Sequence, residues 1–264
     1  MIRRFTASLL LLSATIASAE TNTAGPRLEG SSFSEVAVID AGGSLSDESS
    51  SPDVQTYSIE GGKYHFVLDV SQTPDLASWA HEQLVPAVQE WYPKLVAMLP
   101  SHGFTAPKSF SITFSKEMQG VASTTGTSIT GAESWYRKNL ENGAAGSIVH
   151  EMIHVVQQYG DGPQPGWLVE GVADYIRFYC YEPQTHGADI QPRNIATARY
   201  DNSYRVTANF LNWVTNQNHP NLVRDLNTAM RQGRYNEKLW QKLTGHSLQQ
   251  LGDEWKQSLV QGTR

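Results

Sequence analysis

The sequence predicts an α+β domain from the order of its apolar patterns and from its composition. Alternating apolar residues typical of strands occupy the first half of the chain, together with one long helical pattern. From Ala144 onward the apolar residues recur only at helical spacing. The 264 residues include 39% hydrophobic and 17% charged residues, which is typical of a globular protein and excludes a disordered tail or a coiled coil. A sheet with helices, followed by helices alone, is typical of the α+β class.

The segment before this domain has the pattern of an exported protein. MIRRFTASLLLLSATIASAE has two early arginines, an apolar run and a small-residue cleavage site, which predicts a signal peptide over residues 1–19. The apolar run of about 12 residues is too short to span a bilayer, which needs about 20. Residues 20–54 are rich in Ser and Gly and predict a flexible leader, with one short strand at 35–39. We therefore expect a secreted or periplasmic protein without stable membrane insertion.

The predicted domain covers residues 55–262 and begins with its sheet. The predicted elements of the first half are strands at 56–59 and 64–70 joined at Gly61-Gly62, one or two helices within 74–99 with a potential break at Pro86, a strand at 110–114, and one or two short strands within 120–135. Those of the second half are helices at 144–159 and 168–179, and three or four more between 202 and 259.

Charge and cysteine content exclude several classes of protein. Lys and Arg number 20 against 26 Asp and Glu, for a net charge of −6, and no long basic run occurs, which argues against a nucleic-acid partner. The single cysteine, Cys180, cannot form an intrachain disulfide, and we interpret it as a small hydrophobic residue of the interior. The sequence does not indicate an oligomeric state.

The segment SIVHEMIHVVQQ contains the pattern H-E-x-x-H at His150, Glu151 and His154. On a helix, residues four apart are separated by about 40° and one turn, so both imidazoles can reach one metal ion. Glu151 is turned by roughly 100° from His150, close enough to act on a water at the metal without binding the ion. The alternative interpretation is that the two histidines bind no metal and are simply exposed or hydrogen-bonded on a helix.

A catalytic zinc site needs a third protein ligand and an open position. Glu170 lies 16 positions after His154, beyond a Gly/Pro-rich turn, and two antiparallel helices joined there would bring it beside the histidines. Asp174, one turn further, is placed to accept the second imidazole N–H of a ligand histidine. Two alternatives stay open: Asp174 as the ligand with Glu170 outside, or both residues as an ordinary solvated pair.

HEMIHVVQQYGDGPQPGWLVEGVADYIRF resembles the core of the plant basic secretory protein family, also called the peptidase family of plants and bacteria. The family pattern is approximately H-E-M-T-H-V-x-Q, a Gly-rich turn, then G-x-x-E-G-x-A-D-Y-V-R. The later segments SYRVTANFLNWV and LNTAMRQGRYNEKLWQKLTGHSLQQLGDEW are also similar, so the resemblance covers roughly residues 56–256. Ile153 stands where the family usually has Thr, and the chain is acidic although the family name says basic.

The resemblance implies a zincin-type metallopeptidase fold: a small twisted mixed sheet, a backing helix, an active-site helix and a helical C-terminal part. It implies Zn²⁺ bound by His150, His154 and Glu170, with Glu151 as the base that activates a zinc-bound water against a peptide or protein substrate. Zinc is also the divalent ion that this ligand set favours.

A further donor to the oxyanion is expected in such a mechanism. The candidate is Tyr204, from the resembling SYRV segment, with Tyr200 and His186 behind it, although a tyrosine of this kind is more often a packing residue. Residues 120–132 are a candidate edge strand for binding an extended peptide.

Two other functions are compatible with the sequence. One is a secreted binding or defence protein that retains a metal site without turnover, although Glu151 is not needed for structural zinc. The other is a different zinc-dependent hydrolase, such as an amidase.

Overall fold

The computed structural model describes residues 53–262. The predicted signal peptide, almost all of the predicted leader and the strand expected at 35–39 lie outside these residues. The structure confirms the α+β class, because one mixed sheet precedes a series of helices.

The sheet has five strands in the spatial order β1-β2-β3-β5-β4. The strands are β1 (Val54–Ile59), β2 (Tyr64–Asp69), β3 (Ser109–Ser115), β4 (Ala122–Thr125) and β5 (Ser128–Ala132). The pairs β1–β2 and β4–β5 are antiparallel, whereas β3 is parallel to both β2 and β5. The short β4 therefore forms one edge of the sheet. Alternate residues of β2 and β3 are buried, as period-two patterning predicts.

The turn between β1 and β2 requires its glycines. Gly61 and Gly62 have φ angles of 65° and 94°, which residues with a side chain rarely adopt. The predicted joint at this dipeptide is thus confirmed.

The residues at 74–99 form one continuous helical segment that includes 3₁₀, π and α turns. A 3₁₀ turn at Pro74–Leu76 leads into α1 (Ala77–Trp79), a π turn at Ala80–Leu84 and α2 (Val85–Met98). Pro86 does not end this helical segment, because it occupies the first turn of α2, where a missing N–H costs little.

The remaining helices of the described residues follow the sheet. They are α3 (Glu133–Asn139), α4 (Ala144–Gln157), α5 (Gly166–Ile176), α6 (Tyr204–Asn216), α7 (Leu222–Arg231), α8 (Lys238–Thr244) and α9 (Leu248–Gln261). The expected three or four helices after residue 202 are thus four. None of the helices in this part of the chain is long and apolar enough to cross a bilayer.

Helix α4 lies in the interior and packs on the sheet, α2 and α5. Ile148, Met152 and Val155 are fully buried, as expected for its apolar side. The helix ends two residues before the predicted Tyr159, because Gln158 adopts a left-handed conformation with φ 40°. In the turn that follows, Gly162 lies so close to Gly233 that an added Cβ would be 2.4 Å from the Gly233 Cα.

A π turn at Arg177–Tyr181 continues α5, where the sequence predicted regular helix to residue 179. Cys180 lies in this turn, half-buried and packed against the core. Burial raises the pKa of its thiol.

Candidate metal centre

Two consecutive helices bring the predicted ligands together. His150 and His154 project from α4 and Glu170 from α5. Only 8% of His150 is exposed, and Glu170 is partly buried. The two helices that flank the Gly/Pro-rich turn therefore place a carboxylate beside the two imidazoles.

The three candidate ligand atoms form a nearly regular triangle. His150 Nε2 lies 3.2 Å from His154 Nε2 and 3.2 Å from Glu170 Oε2. The distance from His154 Nε2 to Glu170 Oε2 is 3.5 Å. A tetrahedral zinc ion with ligands at about 2.0–2.1 Å requires ligand atoms about 3.3–3.4 Å apart. The triangle therefore has the dimensions of three corners of such a site.

The other nitrogen of each imidazole has an acceptor of its own. His150 Nδ1 donates to Asp174 Oδ1 at 2.8 Å, and His154 Nδ1 donates to Gln157 Oε1 at 2.7 Å. Gln157 is fixed in turn, because its Nε2 donates to the Val169 carbonyl of α5 at 3.0 Å. These bonds place the ring protons on Nδ1 and leave both Nε2 atoms facing the triangle. Asp174 thus contacts a candidate ligand from behind and lies outside the group of three.

The charges of the triangle are coupled. Burial opposes a positive His150, but hydrogen bonds with Asp174 and Glu170 outweigh it and raise the pKa of His150 to about 9. Burial also opposes a negative Glu170, but hydrogen bonds with His150 and His154 lower the pKa of Glu170 to about 2. An anionic carboxylate beside two imidazoles is a donor set suited to a divalent cation.

Glu151 is not one of the three candidate ligands, and its carboxylate contacts strand β4 at the edge of the sheet. The Thr124 hydroxyl of β4 donates to Glu151 Oε2 at 2.7 Å, and it also lies 3.1 Å from the Glu151 carbonyl oxygen. Glu151 is 7% exposed, yet it lines the same cleft as the histidines. This cleft has a volume of about 680 Å³, and β4, α4, α5 and the start of α6 form its walls.

Of the candidate oxyanion donors, the structure brings Tyr204 to this cleft. Tyr204 is the first residue of α6 and is 54% exposed, so it is not part of the buried core. The nearby Glu170 carboxylate raises the pKa of its hydroxyl. Tyr200 instead packs against Trp167 and Phe210. His186 pairs with Asp189 on the surface, and the cleft is lined by neither Tyr200 nor His186.

Sequence reasoning missed three residues of the site: Gln157, Thr124 and Arg177. Gln157 carried a signal, because it follows His154 by three positions on one helix, where side chains meet. Arg177 carried the same signal, because it follows Asp174 by three positions. Thr124, which lines the cleft, gave no comparable signal because tertiary packing alone brings it there.

A model of the family described as peptidase of plants and bacteria matches residues 76–255 of the chain. This range is more than half of the sequence and includes both α4 and α5. No curated protein matches the chain.

Proposed function

Because the chain belongs to the family of peptidases of plants and bacteria, we propose that it is a zinc-dependent metallopeptidase of the zincin type. The observation that supports zinc most strongly is the triangle of His150, His154 and Glu170, with an acceptor behind each imidazole. The sequence pattern at residues 1–19 supports action outside the cytoplasm after signal-peptide removal.

His150, His154 and Glu170 would hold the ion, and the bound zinc would supply Lewis acidity toward water and a peptide carbonyl. Glu151 takes the proton of the attacking water and returns it to the leaving amine. The hydrogen bond from Thr124 keeps the Glu151 carboxylate turned toward the cleft. Tyr204, which also lines the cleft, is the proposed donor to the oxyanion.

The edge strand β4 is the proposed binding site for the peptide backbone. Ala122, Ser123 and Thr124 line the cleft, and β5 pairs with only one side of β4. An extended substrate that adds a strand there would pass between β4 and the two histidines.

The decisive experiment separates metal binding from turnover with Glu151→Gln. We expect this variant to retain one zinc per chain by elemental analysis and to lose nearly all casein hydrolysis, because an amide cannot accept the water proton. The exposed Glu117→Gln is the matched control and should behave as the wild type. Casein cleavage by Glu151→Gln at the native rate would overturn the mechanism.

The ligand assignment has a separate test. His154→Ala should lose the metal, and unchanged zinc content would refute its role as a ligand. A wild-type protein that binds zinc but cleaves neither casein nor an unbiased peptide library would instead favour the binding or defence function.

A further inference from the structure

Beyond the candidate ligands, one end of the cleft is basic. Ser147, Arg177 and Arg205 line it at the N-terminal end of α4. Ser147 precedes His150 by three residues, about 4.5 Å along the axis of α4, and Arg177 follows Glu170 by seven residues, about 10 Å along α5 and the π turn. An extended peptide advances about 3.3 Å per residue. This end therefore matches a substrate residue within about three positions of the cleaved bond.

Arg177 is rigidly held at this end. Its Nε donates to Glu182 Oε1 at 2.5 Å and its Nη2 to the Gly143 carbonyl at 3.1 Å. Only 13% of its side chain is exposed. The third nitrogen, Nη1, has no hydrogen-bond partner among residues 53–262, so the guanidinium keeps donors available for a ligand.

Arg205 adds a charge that this part of the protein does not neutralise. It is exposed, and the described residues provide it with no carboxylate partner. Its guanidinium carbon lies 4.8 Å from the centroid of the Phe178 ring, and that of Arg177 lies 4.6 Å from the same centroid. Both guanidinium groups thus contact the same buried ring by cation–π interactions.

The charge balance of this end defines the ligand. Glu182 pairs with Arg177 and His150 pairs with Asp174, so Arg205 is the cation of this end that has no ion partner among the described residues. Guanidinium groups bind carboxylates through charge-assisted, often bidentate hydrogen bonds. The cleft wall on this side would repel a lysine or arginine side chain of the substrate and attract a single carboxylate.

We propose that Arg205 and Arg177 form a carboxylate-binding subsite that selects an acidic group of the substrate within about three residues of the cleaved bond. This inference rests on the proposed peptidase function. The carboxylate belongs either to a Glu or Asp side chain or to a free C-terminus, and both present the same chemistry.

The test uses peptides that differ only in this group. One pair carries Glu or Gln at a position within about three residues of the cleaved bond, tested at each position on either side in turn, and a second pair ends in a free carboxylate or an amide. We expect the wild type to prefer a carboxylate in at least one pair by about tenfold in kcat/KM. The first pair reports a side-chain subsite and the second a terminal one. Equal rates in both pairs would overturn the proposal.

Variants of Arg205 test whether this residue causes the preference for a carboxylate. Arg205→Gln should reduce the carboxylate preference to about one, and Arg205→Lys should retain part of it because the charge remains. The exposed Arg224→Gln on α7 removes the same charge elsewhere and should keep the full preference. A preference unchanged in Arg205→Gln would contradict the assignment.

Cleavage of the neutral peptides tests the peptidase function. The ratio of kcat/KM between the carboxylate peptide and its neutral partner tests the subsite. If no peptide is cleaved, the affinities of the same pairs for zinc-loaded Glu151→Gln protein, measured by fluorescence anisotropy, decide the matter. A tighter carboxylate peptide would support the subsite, and equal affinities would refute it.

Discussion

The two ends of α4 are each held by a buried or half-buried arginine, but in opposite electrostatic surroundings. At the C-terminal end, Arg231 donates to the carbonyls of Val156, Gln157 and Leu99 at 2.9, 3.0 and 2.8 Å. It stacks on Phe104 at 3.7 Å and has no carboxylate partner among residues 53–262. Burial lowers the pKa of this guanidinium.

At the N-terminal end, Arg177 requires Glu182. The Glu182 carboxylate lies against Gly146, in the first turn of α4, and is 6% exposed. The partial positive charge of a helix N-terminus favours an anion and opposes a cation, whereas the C-terminus favours a cation. The helix itself therefore compensates Arg231, while Arg177 needs the carboxylate of Glu182, the residue that follows the π turn.

The same asymmetry extends to the histidines between these ends. His150, nearer the N-terminus, donates to the carboxylate of Asp174, and His154, nearer the C-terminus, donates to the amide of Gln157. A helix that positions a metal site can thus be anchored by ion pairs at one end and, at the other, by a cation and an amide that have no carboxylate partner.

The largest effect should follow from removing the carboxylate at the N-terminal end. Glu182→Ala leaves Arg177 largely buried without its ion partner, and we expect unfolding to require about 3–5 kcal/mol less. Urea denaturation measures this loss. The double variant Glu182→Leu with Arg177→Met should recover much of it, because no unpaired charge remains. A loss below about 1 kcal/mol in the single variant would contradict the ion-pair account.

Arg231→Met removes the arginine at the C-terminal end of α4 and leaves no unpaired charge there. It removes the donors to three buried carbonyls, and we expect a loss of about 2–3 kcal/mol, measured in the same way. The exposed Arg224→Met on the same helix should stay within about 0.5 kcal/mol of the wild type. Equal stability of both variants would show that the carbonyls do not depend on Arg231.

Gly146→Ala tests how closely Glu182 packs on α4. The added Cβ would lie 2.4 Å from both carboxylate oxygens of Glu182. We expect a loss of about 2 kcal/mol, because the ion pair must move. The control is Gly160→Ala, whose Cβ would meet no heavy atom within 4 Å. A Gly146→Ala protein as stable as this control would mean that Glu182 is free to move.

The histidine acceptors should differ in their effect on metal affinity. Asp174→Asn replaces the ionic partner of His150, and we expect zinc affinity to fall by about 10–100-fold. Gln157→Leu removes a neutral partner of His154 and should cost about tenfold. Competition with a chromophoric chelator measures both constants. A larger loss for Gln157→Leu would reverse the proposed order.

The sequence was sufficient where contacts are local. The helical spacing of His150 and His154 and the turn before Glu170 predicted three residues that the structure brings together. The α+β class followed from the order of periodic patterns. The predicted roles of these residues stay predictions until the metal and the activity are measured.

Contacts between distant segments could not be predicted. Arg231 reaches the end of α4 from 74 positions away along the chain, and Thr124 reaches Glu151 from 27. Periodicity reports which face of an element is buried, but not which partner covers it. The π turn that delivers Glu182 also lacks a sequence signal, because its residues continue an ordinary helical pattern.

The short span between His154 and Glu170 has a consequence for the stability of the turn after α4. A bound ion would cross-link the two helices on one side of that turn, and the Gly162–Gly233 approach restrains its other side. Closing so short a loop costs little chain entropy. The bound ion would then protect residues 159–165 from proteolysis. A chelator that removes the ion should therefore make this turn cleavable by a protease before the domain unfolds.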